Sequence, residues 1–147
     1  MVYRQAVMSI PAYLTMPSQN GLTFGKQAFD DWADSLTDGR FADVPASDLD
    51  VWKIHGTYLC NCGTNGCSRG GLAKALQLTP DMRIIADLQP LFERNQQLFE
   101  QLTVMEGGFT ITPEQVKNPE IMRPISRKIR EFSDCCDEIL HVFSSFH

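Results

Sequence analysis

The last third of the chain carries the pattern that leaves least freedom in folding. Met122, Ile125, Ile129, Phe132, Cys136, Ile139 and Phe143 follow one another at spacings of 3, 4, 3, 4, 3 and 4. At 3.6 residues per turn this spacing lines one face of a helix with apolar side chains, whereas a strand would scatter them over both faces. A seam carried for three heptads has to be covered by other helices. The commonest cover is a helix of the same domain, here residues 80–105; the alternative is a homodimer through residues 122–143. Pro124 sits near the start of the pattern, so regular helix is expected to begin there.

Residues 80–105 match that seam. Thr79-Pro80-Asp81 reads as a helix start, with a capping hydroxyl, a proline at the first position and an acid near the positive helix end. Ile84, Ile85, Leu88, Leu91, Phe92, Leu98, Phe99, Leu102 and Met105 then build a broad apolar face. Pro90 should kink this helix or remove one hydrogen bond. Asn95 falls on the buried stripe, where an unpartnered amide costs about 1–3 kcal/mol. Gly107-Gly108 ends the helix, and 109–112 reads as an extended connector stopped by Pro113.

Towards the front, Phe24, Ala28, Trp32 and Leu36 recur every four residues and predict a helix over 24–37, capped by Thr23 and ended by Gly39. Residues 37–46 are a linker by composition. Ser47 opens a short helix as far as about Lys53, although 51–59 has enough β-branched and aromatic residues for a strand. A further short helix is expected over 70–77. Residues 1–22, broken by Pro11, Pro17 and Asn20-Gly21, suggest one or two short edge strands. At 147 residues the chain has the size of a single domain, 1–147. The expected fold is mainly α: an irregular helical bundle with a Cys/Gly-rich loop and minor extended segments.

That loop, 55–67, is the densest chemistry in the chain. His55 is followed by Cys60, Cys62 and Cys67, three of the five cysteines. Three thiols and an imidazole are the ligand types and the number that a structural zinc takes. The spacing His-x4-Cys-x-Cys-x4-Cys is not the paired Cys-x2-Cys arrangement, and neighbouring cysteines one residue apart converge only in a bent loop, which Gly63 permits. Free thiols in a glycine-rich turn, or a disulfide from Cys60 or Cys62 to Cys67, are the competing readings. Cys136 lies on the seam as a small core residue. Cys135 lies beside the seam, where partial exposure is expected, and His141 is too far along the helix to share an ion with either.

Charge is unevenly distributed about a net −5. Between residues 30 and 50 seven aspartates, Asp30, Asp31 and Asp34 among them, face Arg40 alone. Between 114 and 130, Lys117, Arg123, Arg127, Lys128 and Arg130 face only Glu114 and Glu120. These are either two solvated faces or two patches that meet, within one subunit or across a dimer. Asp30, Asp31, Asp34, Arg123, Arg127 and Arg130 are the candidate partner-binding residues.

Overall acidity disfavours nucleic acid as a partner. No apolar run is long enough to span a membrane, and clustered, odd-numbered cysteines without an export signal point to reduced thiols in the cytoplasm. Residues 68–85 resemble part of a helix-turn-helix, with Gln77 where that family's turn has glycine and Arg83 where it has an aliphatic. His55-Gly-Thr57 resembles the His-x-Thr element of two-histidine phosphoesterases, whose second copy is absent here, and the His-Gly-Thr of some ADP-ribosyltransferases. Arg69-Gly70-Gly71 lacks the lysine and spacing of a phosphate loop. The function expected is a non-enzymatic, cytoplasmic binding or adaptor protein working through protein contacts, with zinc as the candidate cofactor. The alternatives are a DNA-binding regulator using residues 68–86 and a thiol-dependent enzyme or redox sensor.

Overall fold

In the computed structural model, residues 2–56, 76–107 and 110–146 are described. They form α1 (Val2–Met8), α2 (Ile10–Leu14), α3 (Gly25–Ser35), a 3-10 turn (Ala46–Asp48), a π-helical turn (Trp52–Gly56), α4 (Ile85–Met105), α5 (Pro113–Val116) and α6 (Pro119–Ser145). Among the described residues there is no strand, only an isolated bridge between Gln19 and Leu22. The fold is mainly helical, as the seam requires.

The long C-terminal helix α6 is the axis. Met122, Ile125, Ile129, Phe132, Cys136 and Ile139 are buried, and Phe143 is half-buried. The cover comes from this chain: α3 packs along one side of α6 and α4 along the other. Phe132 marks where the three helices meet. Its ring stacks on Phe29 of α3 at 5.1 Å and meets Phe99 of α4 edge-on at 6.4 Å. The helix is also wider in burial than its heptads suggest. Ser126 and Ser133 are buried against α3, and Cys135 against α4. Ser126 Oγ donates to the Ala33 carbonyl at 2.7 Å, and Cys135, expected to be partly exposed, is fully enclosed with Sγ 3.4 Å from the Leu91 carbonyl.

Several boundaries move for identifiable reasons. α6 begins at Pro119 rather than near Pro124, because Asn118 caps it by accepting from Glu120 N and Pro119 and Glu120 suit a first turn. Pro124 is then early enough to be carried inside the helix. The stretch after Pro113 is not a stop but α5: Thr112 and Gln115 form a reciprocal capping box around it. α4 begins at Ile85, five residues after the expected start, since the Thr79 hydroxyl turns back onto the Leu76 carbonyl and 79–84 winds through successive tight turns. Pro90 is accommodated inside α4.

The N-terminus is helical, not extended. Val7, Ile10 and Leu14 are its buried residues, at helical spacing, and Pro11 stands in the first turn of α2. Asn20 and Gly21 both take positive φ, the signature of a tight hairpin-type turn, and the bridge closes it. α3 starts at Gly25, without a Thr23 cap. Residues 51–56 are helical rather than strand, and Asp50 in place of Ser47 supplies the cap, accepting from Lys53 N at 3.0 Å. The 70–77 helix lies almost wholly outside the described residues. Buried side chains from Val7 to Ile139 make one cluster.

Candidate functional site

The π-helical turn after Asp50 carries His55 inward. Its neighbours Trp52 and Lys53 point to solvent, but His55 is only 1% exposed. On one side lies Trp32 of α3, with ring centroids 6.1 Å apart and the planes tilted by 56°. Glu106, the residue that ends α4, meets the ring at Nδ1. Nδ1 of His55 is 3.0 Å from Oε1 of Glu106, and both side chains are essentially sealed from solvent.

Glu106 is out of place by every local rule. It is an acid at the negative end of a 21-residue helix, buried, with no basic residue in the helix's last turn. Gly107 follows with φ of +63°, as the residue after a helix end commonly does, so the backbone terminates normally and the anomaly belongs to the side chain. His55 is its compensation: buried acids persist when paired. Opposite a carboxylate oxygen Nδ1 carries the hydrogen, and a neutral ring then keeps its lone pair on Nε2.

The pair leaves two atoms over. His55 Nε2 and Glu106 Oε2 are buried and have no hydrogen-bond partner among the described residues. Buried polar atoms are nearly always satisfied, and each exception calls for an explanation. Sequence reasoning singled out His55 and missed Glu106. The signal available was an acid directly before Gly107, where a lysine, arginine or neutral residue is the ordinary choice.

The other expected ligands, Cys60, Cys62 and Cys67, lie outside the described residues. Among the described residues no group of three or more His, Cys, Asp or Glu side chains converges as an ion would require. Cys135 and Cys136 are buried in the core.

The candidate partner-binding residues divide into two sets. Asp34 pairs with Arg130 across the α3–α6 interface. Asp30 accepts from Lys26 at 2.9 Å, and Lys26 also reaches Ser133 at 2.8 Å and Asp137 at 3.5 Å. Burial pushes the Asp30 carboxyl up, but hydrogen bonds from Ser133 and Lys26 together outweigh it and hold the group below the usual carboxylate range. The hydrogen bond to Asp30 in turn raises Lys26 above its ordinary value. Acidic and basic stretches therefore do meet within the chain. Asp31, by contrast, is exposed and accepts a hydrogen bond from Gln27, at 2.8 Å. Arg123 reaches Glu120 of its own helix at 3.2 Å, and Arg127 is exposed without an ion pair among the described residues.

Beside Arg123 the surface opens into a cleft between the end of α3 and the start of α6. Leu36, Phe41, Val116 and Pro119 give it apolar walls, with Lys117 and Arg123 among its polar lining. Lys117 closes one side by donating from Nζ to the Val44 carbonyl at 2.8 Å. No helix among the described residues is long and apolar enough to cross a membrane. No protein-family description matches this chain, and neither the curated proteins nor the solved structures contain a significant match to it.

Proposed function

We propose that this is a non-enzymatic, cytoplasmic binding or adaptor protein, and that its contact surface is the cleft beside Arg123. The observation that carries the reading is the combination found there: apolar walls from Leu36, Phe41, Val116 and Pro119 beside the cationic Arg123. Such a cleft suits a short segment of another protein with one aliphatic or aromatic anchor next to acidic residues, the anchor desolvating and the acids meeting Arg123 and Arg127. The pairs Asp34–Arg130 and Lys26–Asp30 are engaged within the chain, so of the candidate residues Arg123, Arg127 and the exposed Asp31 are the ones that would face a partner.

A panel of labelled peptides carrying one Leu, Phe or Trp beside two or three acids tests this by fluorescence polarisation. Binding at low salt that weakens at least tenfold in the Arg123→Glu/Arg127→Glu variant supports the cleft. Peptides that bind equally well after the substitution, or a panel with no binder, argue against it.

A structural zinc held by His55, Cys60, Cys62 and Cys67 belongs to the same reading. It is supported by the bare Nε2 of His55, the atom an imidazole presents to a metal. Four protein ligands leave no open position, so such an ion would hold the chain together rather than catalyse. Metal analysis of protein purified without added zinc checks it, and less than about a tenth of an equivalent ends it. The DNA-binding alternative has less to stand on, because 79–84 is a run of turns and not the opening of a recognition helix.

A further inference from the structure

We infer that the occupant of the cleft is a second copy of this chain: the acidic turn around Asp48 and Asp50, with Trp52 at its end, seats beside Arg123 of the other molecule. The inference rests on the cleft reading above and goes beyond it by naming the partner. A cleft with apolar walls and a cationic lining suits an aromatic or aliphatic anchor next to acids, and Asp48-Leu49-Asp50-Val51-Trp52 is such a segment. Trp52 is 56% exposed, although His55 on the same turn is buried. Tryptophan is among the side chains that most often carry binding energy once seated in a pocket. Asp48 and Asp50 are exposed as well, and their hydrogen bonds are local. Asp48 accepts from Ser47 Oγ at 2.9 Å and Asp50 from Lys53 N at 3.0 Å, and among the described residues neither is in an ion pair.

The placement of segment and cleft points to a copy as the partner. The 3-10 turn Ala46–Asp48 packs on α5, and Val116 of α5 is one wall of the cleft. Lys117, directly after α5, donates to the Val44 carbonyl two residues ahead of that turn, so the chain entering the acidic segment is tied to the rim of the cleft. The acidic turn and the cleft are therefore neighbours on the surface. Two such neighbours are self-complementary. Across a two-fold axis each molecule's segment meets the other's cleft, and Asp48 and Asp50 approach Arg123 and Arg127 at both seats. Arg123 already reaches Glu120 of its own helix at 3.2 Å, but that exposed pair is screened by solvent and leaves the guanidinium able to take a second carboxylate. Stable interfaces bury about 1,200–2,000 Å² in total, and reciprocal seating doubles what one segment in one cleft would bury.

Sedimentation equilibrium of the full chain between about 1 μM and about 1 mM reads this association directly. The wild type should pass from monomer to dimer in that range, and less readily as salt rises. Arg123→Glu/Arg127→Glu and, separately, Asp48→Lys, which leaves the Asp50 cap in place, should each weaken the dimer about tenfold or more. Mixing the two variants should restore a dimer, because the reversed charges then face each other across the two-fold axis. Trp52→Ala should be monomeric and should still bind a labelled peptide of residues 46–53 in its intact cleft. Circular dichroism should show the wild-type helix content in each variant; if Trp52→Ala fails to fold, the charge reversals at exposed positions decide alone.

The failures differ. A wild type that stays monomeric throughout overturns this inference and leaves the cleft reading standing, since the peptide panel tests the cleft separately. A dimer that survives both charge reversals, or a mixture that associates no better than either variant alone, puts self-association on another face and overturns the inference too. A panel in which no peptide binds takes the cleft reading down, and this inference with it.

Discussion

Asn95 and Gly25 show how single residues in this chain answer to different constraints. Asn95 lies in the middle of α4 on its buried face, and its Nδ2 has no hydrogen-bond partner among the described residues. An unmet buried amide costs about 1–3 kcal/mol, whereas an apolar side chain of similar size pays no such penalty. Asn95→Leu should therefore raise stability by about 1–2 kcal/mol, read as a higher urea midpoint at an unchanged slope. A lower midpoint would mean that the amide is satisfied. Gly25 is constrained from two sides. Its φ is +56°, and a Cβ there would sit 2.6 Å from the Leu14 carbonyl carbon. The left-handed conformation alone costs an L-residue about 1–2 kcal/mol, and the clash is with backbone that cannot swing away. Gly25→Ala should lower the thermal midpoint by several degrees and loosen α1 and α2, so proteolysis should cut first near residues 14–24. Asn95 was legible in the sequence, since periodicity placed it on the stripe. The demand on Gly25 was not, because it depends on where Leu14 ends up.

Among the elements, legibility followed the length of the pattern. The seam of α6 and the stripe of α3 were visible because helical periodicity sums over many residues and tertiary contacts only complete it. Where a segment is short, a cap decides, and caps are easily overlooked: Thr112 with Gln115, and Asn118 before Pro119, each start a helix that periodicity alone did not place. The N-terminus misled for the opposite reason. Its β-branched residues and prolines suggest edge strands, yet Val7, Ile10 and Leu14 bury one helical face against the bundle, and that burial outweighs local preference. In the candidate site, His55 was visible as part of a Cys/His cluster. Glu106 was not, because nothing local links residues 51 positions apart. Phe132 is where these elements depend on one another, since α3 and α4 both place an aromatic ring on it. Phe132→Ala should cost about 3–5 kcal/mol, the range for removing a buried aromatic. Phe132→Leu should recover more than half of that. Urea unfolding followed by circular dichroism separates the two, and equal losses would show that filling the space is not what Phe132 supplies.

For the molecule as a whole, charge determines how the two flanks of α6 respond to pH. On the α3 side, Lys26, Asp30, Ser133 and Asp137 form a half-buried cluster, with Arg130 and Asp34 beyond it; on the α4 side, Arg94 holds Glu138 at 2.6 Å. Asp30 has its carboxyl below the ordinary range in the folded chain, because its hydrogen bonds from Ser133 and Lys26 outweigh burial. The unfolded chain therefore takes up the proton first as pH falls. Stability from Asp30 is fully present above the ordinary carboxylate pKa and is lost as pH drops through the lower folded value. Lys26 is raised in the folded chain, chiefly by its hydrogen bond to Asp30, so its share is intact below the ordinary lysine value and is lost only as pH rises beyond it. Near neutrality both contributions are complete. Asp30→Asn should accordingly lower stability by about 0.5–1 kcal/mol at pH 7, a figure kept small because the lysine remains one-third exposed and solvent screens it. At pH 2–3 the variant and wild type should converge, since the wild-type carboxyl is then being protonated too. Urea midpoints at the two pH values check this. A deficit that persists unchanged in acid would place the effect in packing against Ser133 and not in the charge that binds α3 to α6.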